Sequence, residues 1–377
     1  MSVVFLTGGT GVVGSAIARA ILERSSARVI LLLRGRSDDE VLERLQTLLA
    51  YWKLPEADLA ARLEVARGDT SLPLFGLDPE RFQRIAAECT RVIHCAALVR
   101  MNLPLIEARA SAVNAAENVL ELARASRRAG RLVKVEFLST VGIGGTRPGV
   151  LPERWITEPR AYHNTYEQAK ADAERVIADG VAEGLPITVH RPSMVVGDSR
   201  TGEVIRFQIF YHLVEFLSGR RTFGLFPAFG ATRLDIVPVD YVADAVVWSS
   251  GSQDTSGSVL HLCTGPEGSP RLDALQSRVR ASFVAAGLDV PRRISLPPAL
   301  LQAAIPVIRA LLPAPGRRSL SSLPIFLAYL SGDQGFANTQ TRRLLGAAGI
   351  PLPPVDSYLG KVLDRYLRTR QPATGAR

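Results

Sequence analysis

Ser2-Val3-Val4-Phe5-Leu6-Thr7-Gly8-Gly9-Thr10-Gly11-Val12-Val13-Gly14 is an apolar run that breaks into a glycine-rich turn, and a helical pattern follows through Ile17, Ile21 and Leu22. Strand, glycine turn and helix in direct succession are the context a dinucleotide-binding turn requires. The GxxGxxG spacing of Gly8, Gly11 and Gly14 lets the turn be tight and its backbone approach a pyrophosphate. The helix behind it contributes N–H groups and the positive end of its dipole. Thr7, Gly8, Thr10, Gly11, Val12, Val13 and Gly14 are therefore expected to hold the cofactor's phosphates.

Working outward, Arg28–Leu33 reads as a strand covered on both faces, and it ends in Arg34-Gly35-Arg36. At the end of the second strand of such a fold an acidic residue bonds a ribose 2′-OH, whereas arginine accommodates a 2′-phosphate. Arg34 and Arg36 thus predict NADPH. Residues 38–53 read as a polar helix and 63–70 as a third strand, with Thr70 at the cofactor and Asp69 either an acceptor for the adenine amino group or a cap. A fourth strand over 91–97 ends in Ala96 and Ala97, small enough for a cofactor to lie against the backbone; His94 within it reads as a packed core histidine. A helix over 108–125 carries Asn114 on an Ala/Val/Leu face, where a buried amide must find partners. The fifth strand, 132–138, delivers Ser139-Thr140 at its carboxyl end, before the flexible Gly142-Ile143-Gly144-Gly145 loop; ligands of open α/β sheets bind at such ends.

Tyr166-Glu167-Gln168-Ala169-Lys170 lies in a predicted helix capped by Asn164, with Ala169, Ala173, Val176 and Ile177 as its apolar stripe. The i, i+4 spacing puts phenol and ammonium on one face, and a neighbouring ammonium is expected to lower the tyrosine pKa, making a usable general acid. A sixth strand, 187–190, runs into Arg191-Pro192-Ser193-Met194. From Asp198 the alternation loosens: 204–218 reads as an aromatic-rich helix containing Phe207, followed by Phe223, Phe226 and Phe229 in a loop, either core or a substrate wall. Residues 234–243 return the chain to the sheet and start another helix. The Pro-rich tract 296–330 reads as short apolar helices over the cleft, and 339–370 as a helical tail.

The 377 residues are 47% hydrophobic and 21% charged, an ordinary globular composition. Lys and Arg exceed Asp and Glu by 45 to 36; the scattered excess reads as a solvated arginine-rich surface or as attraction to a phosphorylated cofactor or acidic partner. No nucleic-acid motif accompanies it. Cys89, Cys95 and Cys263 have no metal-ligand spacing, so no metal is expected, and they read as reduced thiols of a cytoplasmic protein. The chain opens on a strand rather than a signal sequence, and prolines and arginines break its most apolar tract, so no transmembrane segment is expected.

Taken in order, Gly8-x-x-Gly11-x-x-Gly14, Asp69, Ala96-Ala97, Asn114, Thr140, Tyr166-x-x-x-Lys170 and Arg191-Pro192 resemble the extended short-chain dehydrogenases/reductases. Residues 191–202 look like the branch of fatty acyl-CoA reductases and carrier-protein thioester reductase domains. The resemblance implies a Rossmann-type α/β fold: a doubly wound parallel sheet over residues 1–200 that binds NADP and is completed by about 233–265. A smaller, mostly helical substrate-binding and cover region would take 201–232 and 266–377. It implies Thr140, Tyr166, Lys170 and Asn114 as catalytic residues, with Tyr166, Lys170, Pro192 and Ser193 also on the cofactor. Val141, Gly142, Met194, Phe207 and Phe226 would line the substrate site. The implied activity is NADPH-dependent reduction of an acyl thioester to aldehyde, and on to alcohol in a second cycle. A ketone or aldehyde reductase, or a hydroxyl dehydrogenase, is the alternative. No carrier or adenylation domain accompanies the reductase pattern, so the acyl group would arrive on CoA or on a separate, acidic carrier protein; the sequence does not fix the oligomeric state, a homodimer being one reading.

Overall fold

The computed structural model describes residues 2–97 (backbone alone at 56–58), 103–297 and 334–370. Seven parallel strands form the central sheet: β1 (Val3–Thr7), β2 (Arg28–Leu33), β3 (Leu63–Arg67), β4 (Arg91–His94), β5 (Lys134–Leu138), β7 (Ile187–Pro192) and β11 (Val259–Leu262). Their spatial order is β11-β7-β5-β4-β1-β2-β3. The order reverses between β1 and β4, so the glycine turn after β1 and Ala96 after β4 flank the crevice where ligands of such sheets bind. The short strand β6 (Gly149–Leu151) lies outside this sheet.

The apolar run of β2 needs cover on both faces, and it has it. One face carries α1 (Val12–Arg24), α2 (Asp38–Trp52) and, after the second body, α8 (Val239–Gly251); α3 (Glu56–Arg62) extends it. The other carries α4 (Pro79–Glu88), α5 (Leu105–Arg128) and α6 (Thr165–Ala182). Ser37, Asp78 and Asn164 cap α2, α4 and α6 with their side chains, as short polar residues do at helix starts.

A second core forms where the alternation loosens. Helix α7 (Ile209–Ser218), α10 (Leu272–Ala285) and α12 (Val355–Arg368) pack together with the strand pairs β8 (Met194–Val196) with β10 (Ile236–Pro238) and β9 (Leu225–Pro227) with β12 (Ile294–Leu296). The short α9 (Gly265–Gly268) precedes α10, β13 (Gln334–Phe336) pairs with β6, and α11 (Thr339–Ala347) starts the tail. Among the described residues no helix is long and apolar enough to cross a membrane.

Three expectations change. Helix α7 begins at Ile209 rather than at residue 204, because Phe207 leaves the helical path to lie edge-on against Tyr211 and Tyr366. Strand β10 pairs only with β8, and the sheet's edge goes to β11. The aromatic loop is not an exposed wall: Phe226 is 0% and Phe229 5% exposed within the second core, while Phe223 is 62% exposed. Phe226 is thus a core residue, stacked edge-on against Phe216, and not part of an open substrate surface. The cover proposed for 296–330 falls, beyond β12, on residues 298–330, which lie outside the described residues.

Truncating Phe226 to Ala should lower the unfolding free energy by about 3 kcal/mol or more in urea melts, whereas Phe223→Ala should stay within about 0.5 kcal/mol. Equal effects would contradict this burial.

Candidate active site

The glycine turn is built by close backbone approach. Gly8 sits at φ +76°, and a Cβ added there would lie 2.5 Å from the Ala96 amide nitrogen and 2.6 Å from the Cys95 carbonyl carbon. A Cβ on Gly14 would lie 2.3 Å from the Gly8 carbonyl oxygen, which also accepts from the Gly11 amide at 2.8 Å. Gly11 caps α1 without a side chain, so the first amides of the helix, at Val12 and Val13, are left to face the crevice. This donor set fits a dinucleotide pyrophosphate. Thr7 is buried: its hydroxyl bonds His94 Nδ1 at 2.9 Å and accepts from the Ala96 amide at 3.4 Å, so it pins β1 to β4. Burial also pushes His94 down to about 3, a neutral core imidazole stacked on Phe137.

At the next strand end Arg34 is exposed, with Nη1 3.7 Å from Asp69 Oδ2, and Arg36 is exposed with its amide on Glu40 Oε2 at 2.9 Å. Asp69 Oδ1 accepts from the amide and hydroxyl of Ser71 at 2.9 and 2.7 Å, closing a turn. That turn is held from α5. Asn114 Nδ2 donates to Ser71 O at 3.2 Å, and Asn118 Nδ2 to Thr70 O and Leu72 O at 2.9 and 2.7 Å. Asn118 escaped the sequence reading; the signal was its i+4 spacing from Asn114 on an apolar face.

Helix α6 brings the remaining groups to the carboxyl end of β5. Lys170 is 4% exposed, and its Nζ donates to Leu138 O at 2.6 Å and lies 5.1 Å from the Phe137 ring centre. Burial brings its pKa down to about 8, partly offset by Glu174. Two residues past Leu138, Thr140 Oγ1 accepts from the Gly142 amide at 3.2 Å. Gly142 in turn abuts Glu167: a Cβ added to it would lie 3.1 Å from Glu167 Cγ. Thr140, Gly142 and the start of α6, with Tyr166, are therefore brought together, and Val141 is buried beside them.

The expected lowering of the Tyr166 pKa does not occur here. Burial and, second, the Glu167 charge push the phenol up to about 12, while the Lys170 ammonium is aimed at Leu138 O. Glu174, one turn beyond Lys170, pairs with the fully buried Arg191 through two bonds of 3.0 and 2.6 Å. Beyond Arg191, Pro192 is buried in register with Leu262, the Ser193 amide donates to Leu262 O at 3.0 Å, and half-buried Met194 opens β8 with its amide on Asp235 O at 3.3 Å. Phe207 is 36% exposed in the second body. Among the described residues no cluster of His, Cys, Asp or Glu could hold a metal ion.

Set beside known proteins, residues 6–246 match the NAD-binding family described as Male sterility protein, and the chain belongs to it. It is an extended short-chain dehydrogenase/reductase and an NAD(P)-dependent oxidoreductase. A linear gramicidin synthase polypeptide of Brevibacillus parabrevis is 26% identical over 97% of this chain and 7% of its own length. The chain likewise spans only 21% and 26% of the next curated relatives. The crystal structure of the terminal R domain from the myxalamid PKS-NRPS biosynthetic pathway superposes with a TM-score of 0.81 at 27% identity, covering 98% of this chain and 91% of that one. A thiolation-reductase di-domain from an archaeal non-ribosomal peptide synthetase shares the fold at a TM-score of 0.74, with 19% identity over 98% of this chain and 75% of that one.

The lowered pKa of Lys170 makes a stability prediction. Between about 8 folded and 10.5 unfolded, the unfolded chain binds a proton that the folded chain lacks, so the free energy of unfolding rises with pH. Relative to Lys170→Met, the wild type should gain about 2 kcal/mol from about pH 8 to about pH 10 in denaturant titrations. A pH-independent difference between the two proteins would count against the burial of a charged Lys170.

Proposed function

We propose that this chain is an NADPH-dependent reductase that converts an acyl thioester, carried by CoA or by an acidic carrier protein, to the aldehyde and onward to the alcohol. The observation that carries the reading is the convergence at the end of β5, where Thr140 and the first turn of α6 meet through Gly142 and Glu167 while Lys170 is held on Leu138 O. The family and the similarity to reductase domains of peptide synthetases support the same reaction class.

In this reading the glycine turn and α1 bind the pyrophosphate, and Arg34 and Arg36 receive a 2′-phosphate. The nicotinamide, when bound, supplies hydride. Thr140 and Tyr166 bond the substrate carbonyl oxygen and stabilise the negative charge that develops there. Tyr166 Oη, a phenol that its surroundings keep protonated, delivers the proton to that oxygen. Lys170 steadies the cofactor ribose, and Asn114 holds a water that returns a proton to the relay. With a thioester the resulting hemithioacetal expels the thiol and leaves an aldehyde; with a ketone or aldehyde the same groups yield an alcohol. The net charge of +9 suits a phosphorylated cofactor and an acidic acyl carrier. In this reading the enzyme works in the cytoplasm.

The purified protein should oxidise NADPH in the presence of acyl-CoA thioesters of graded chain length and release free thiol in proportion. Tyr166→Phe should lower kcat by about a hundredfold or more. Turnover of aldehydes or ketones alone, without thiol release from any thioester, would leave a simple carbonyl reductase. For the cofactor, Arg34→Ala combined with Arg36→Ala should raise the KM for NADPH about tenfold or more and leave that for NADH unchanged, as loss of two charge-assisted contacts implies; equal changes for both would refute the 2′-phosphate assignment.

A further inference from the structure

Next to Tyr166 lies a buried carboxylate that the reaction above does not use. Glu167 is 1% exposed. Its amide is capped by Asn164 Oδ1 at 3.0 Å, while its own side chain folds back over the helix start. There Oε2 accepts from the His163 amide at 3.0 Å and meets His163 Nδ1 at 3.1 Å. Its other oxygen faces the turn that follows Thr140: a Cβ added to Gly142 would lie 3.2 Å from Oε1. Glu167 thus touches both sides of the convergence, and its charge sits beside the phenol.

We propose that Glu167 and His163 are a positioning pair that sets the first turn of α6, which carries Tyr166, against the turn after Thr140. The inference rests on the reading of Tyr166 as the donor. Two parts of the side chain act separately. Its length holds Gly142, and with it Thr140, at a fixed distance from α6. Its charge opposes formation of a phenolate next door, consistent with the direction in which Tyr166 is shifted. His163 supplies the compensating donor, and its bond to Glu167 raises the imidazole pKa. The other charged or titratable groups around this corner have separate engagements. Lys170 Nζ is on Leu138 O, Glu174 is on Arg191, His94 is on Thr7, and Arg160 donates to the carbonyls of Ile143, Ile156 and Glu158; Cys95, just past β4, is a half-buried thiol pushed above its usual range.

The test follows kcat and KM at about pH 7 for the acyl-CoA thioester turned over fastest by the wild type, corrected for enzyme-free hydrolysis. Glu167→Gln, which weakens the bond to His163, should lower kcat about tenfold with little change in KM. Glu167→Asp keeps the charge but retracts it from Gly142, so it too should lower kcat with little change in KM. His163→Ala should lower kcat with little change in KM, and His163→Asn, whose amide reaches the place of Nδ1, should recover most of the loss. Should Glu167→Gln fail to fold by circular dichroism, Glu167→Asp and the His163 variants decide: wild-type kcat in both Glu167→Asp and His163→Ala overturns the pair. An inactive Tyr166→Phe beside a Glu167→Gln enzyme with unchanged kcat overturns the pair alone. Full turnover by Tyr166→Phe overturns the donor reading and the pair with it.

Discussion

The ion pair between Arg191 and Glu174 is the constraint on which the site depends. Arg191 is fully buried at the carboxyl end of β7, between β5 and β11, and holds Glu174 on α6 through two bonds. Its Nη1 also reaches Arg154 O at 2.9 Å and His261 Nε2 at 3.3 Å. His261 keeps its proton on Nδ1 for Ala337 O at 2.8 Å, and burial and Arg191 together keep the ring neutral, with its pKa down at about 3. A buried charge is tolerated only when its partner and its remaining donors are satisfied, and loss of one member typically costs about 3–5 kcal/mol. Here the pair also fixes register. Tyr166, Lys170 and Glu174 are spaced i, i+4, i+8 on one face of α6, so anchoring Glu174 at the sheet rotates Lys170 onto Leu138 O.

Periodicity revealed the sheet because an all-parallel sheet leaves its strands no solvent face. β2 matched its expected Arg28–Leu33 span residue for residue, and β1, β3, β4, β5 and β7 lay within two or three residues of expectation. The cap of α6 was equally legible, since a short polar residue placed before an apolar stripe has few other uses. The electrostatics were less so. Sequence spacing puts Lys170 beside Tyr166, but it says nothing of the carbonyl that captures the ammonium or of the burial that lifts the phenol. The folding back of Glu167 onto His163 was not legible, because whether a carboxylate is solvated or tucked beneath its helix is a matter of packing.

The second body marks the other limit. Its sequence is rich in aromatics and glycines, and both a core and a lined cleft produce that composition. Side-chain packing decides between them: Phe210, Phe216, Phe226, Phe229 and Phe283 are all buried between α7, α10 and the short strand pairs. The helix start at Ile209 and the isolated β8–β10 pair have the same origin, since short elements take their bounds from neighbours rather than from an intrinsic periodicity.

The path of the chain from β7 to β11 has a consequence for how the protein is made. β7 leaves the sheet at Pro192, and its outer neighbour β11 begins only at Val259, after α7 and α8 have been laid down. During synthesis the outer rim of β7 therefore emerges with its backbone hydrogen bonds unsatisfied and must wait for a partner from much later in the chain. Such distant pairing slows folding, because a long loop must close before the contact repays it. The edge that ends beside Arg191 is thus the stretch most in need of protection in the nascent chain, and the sheet end that anchors α6 is among the last parts of the molecule to set.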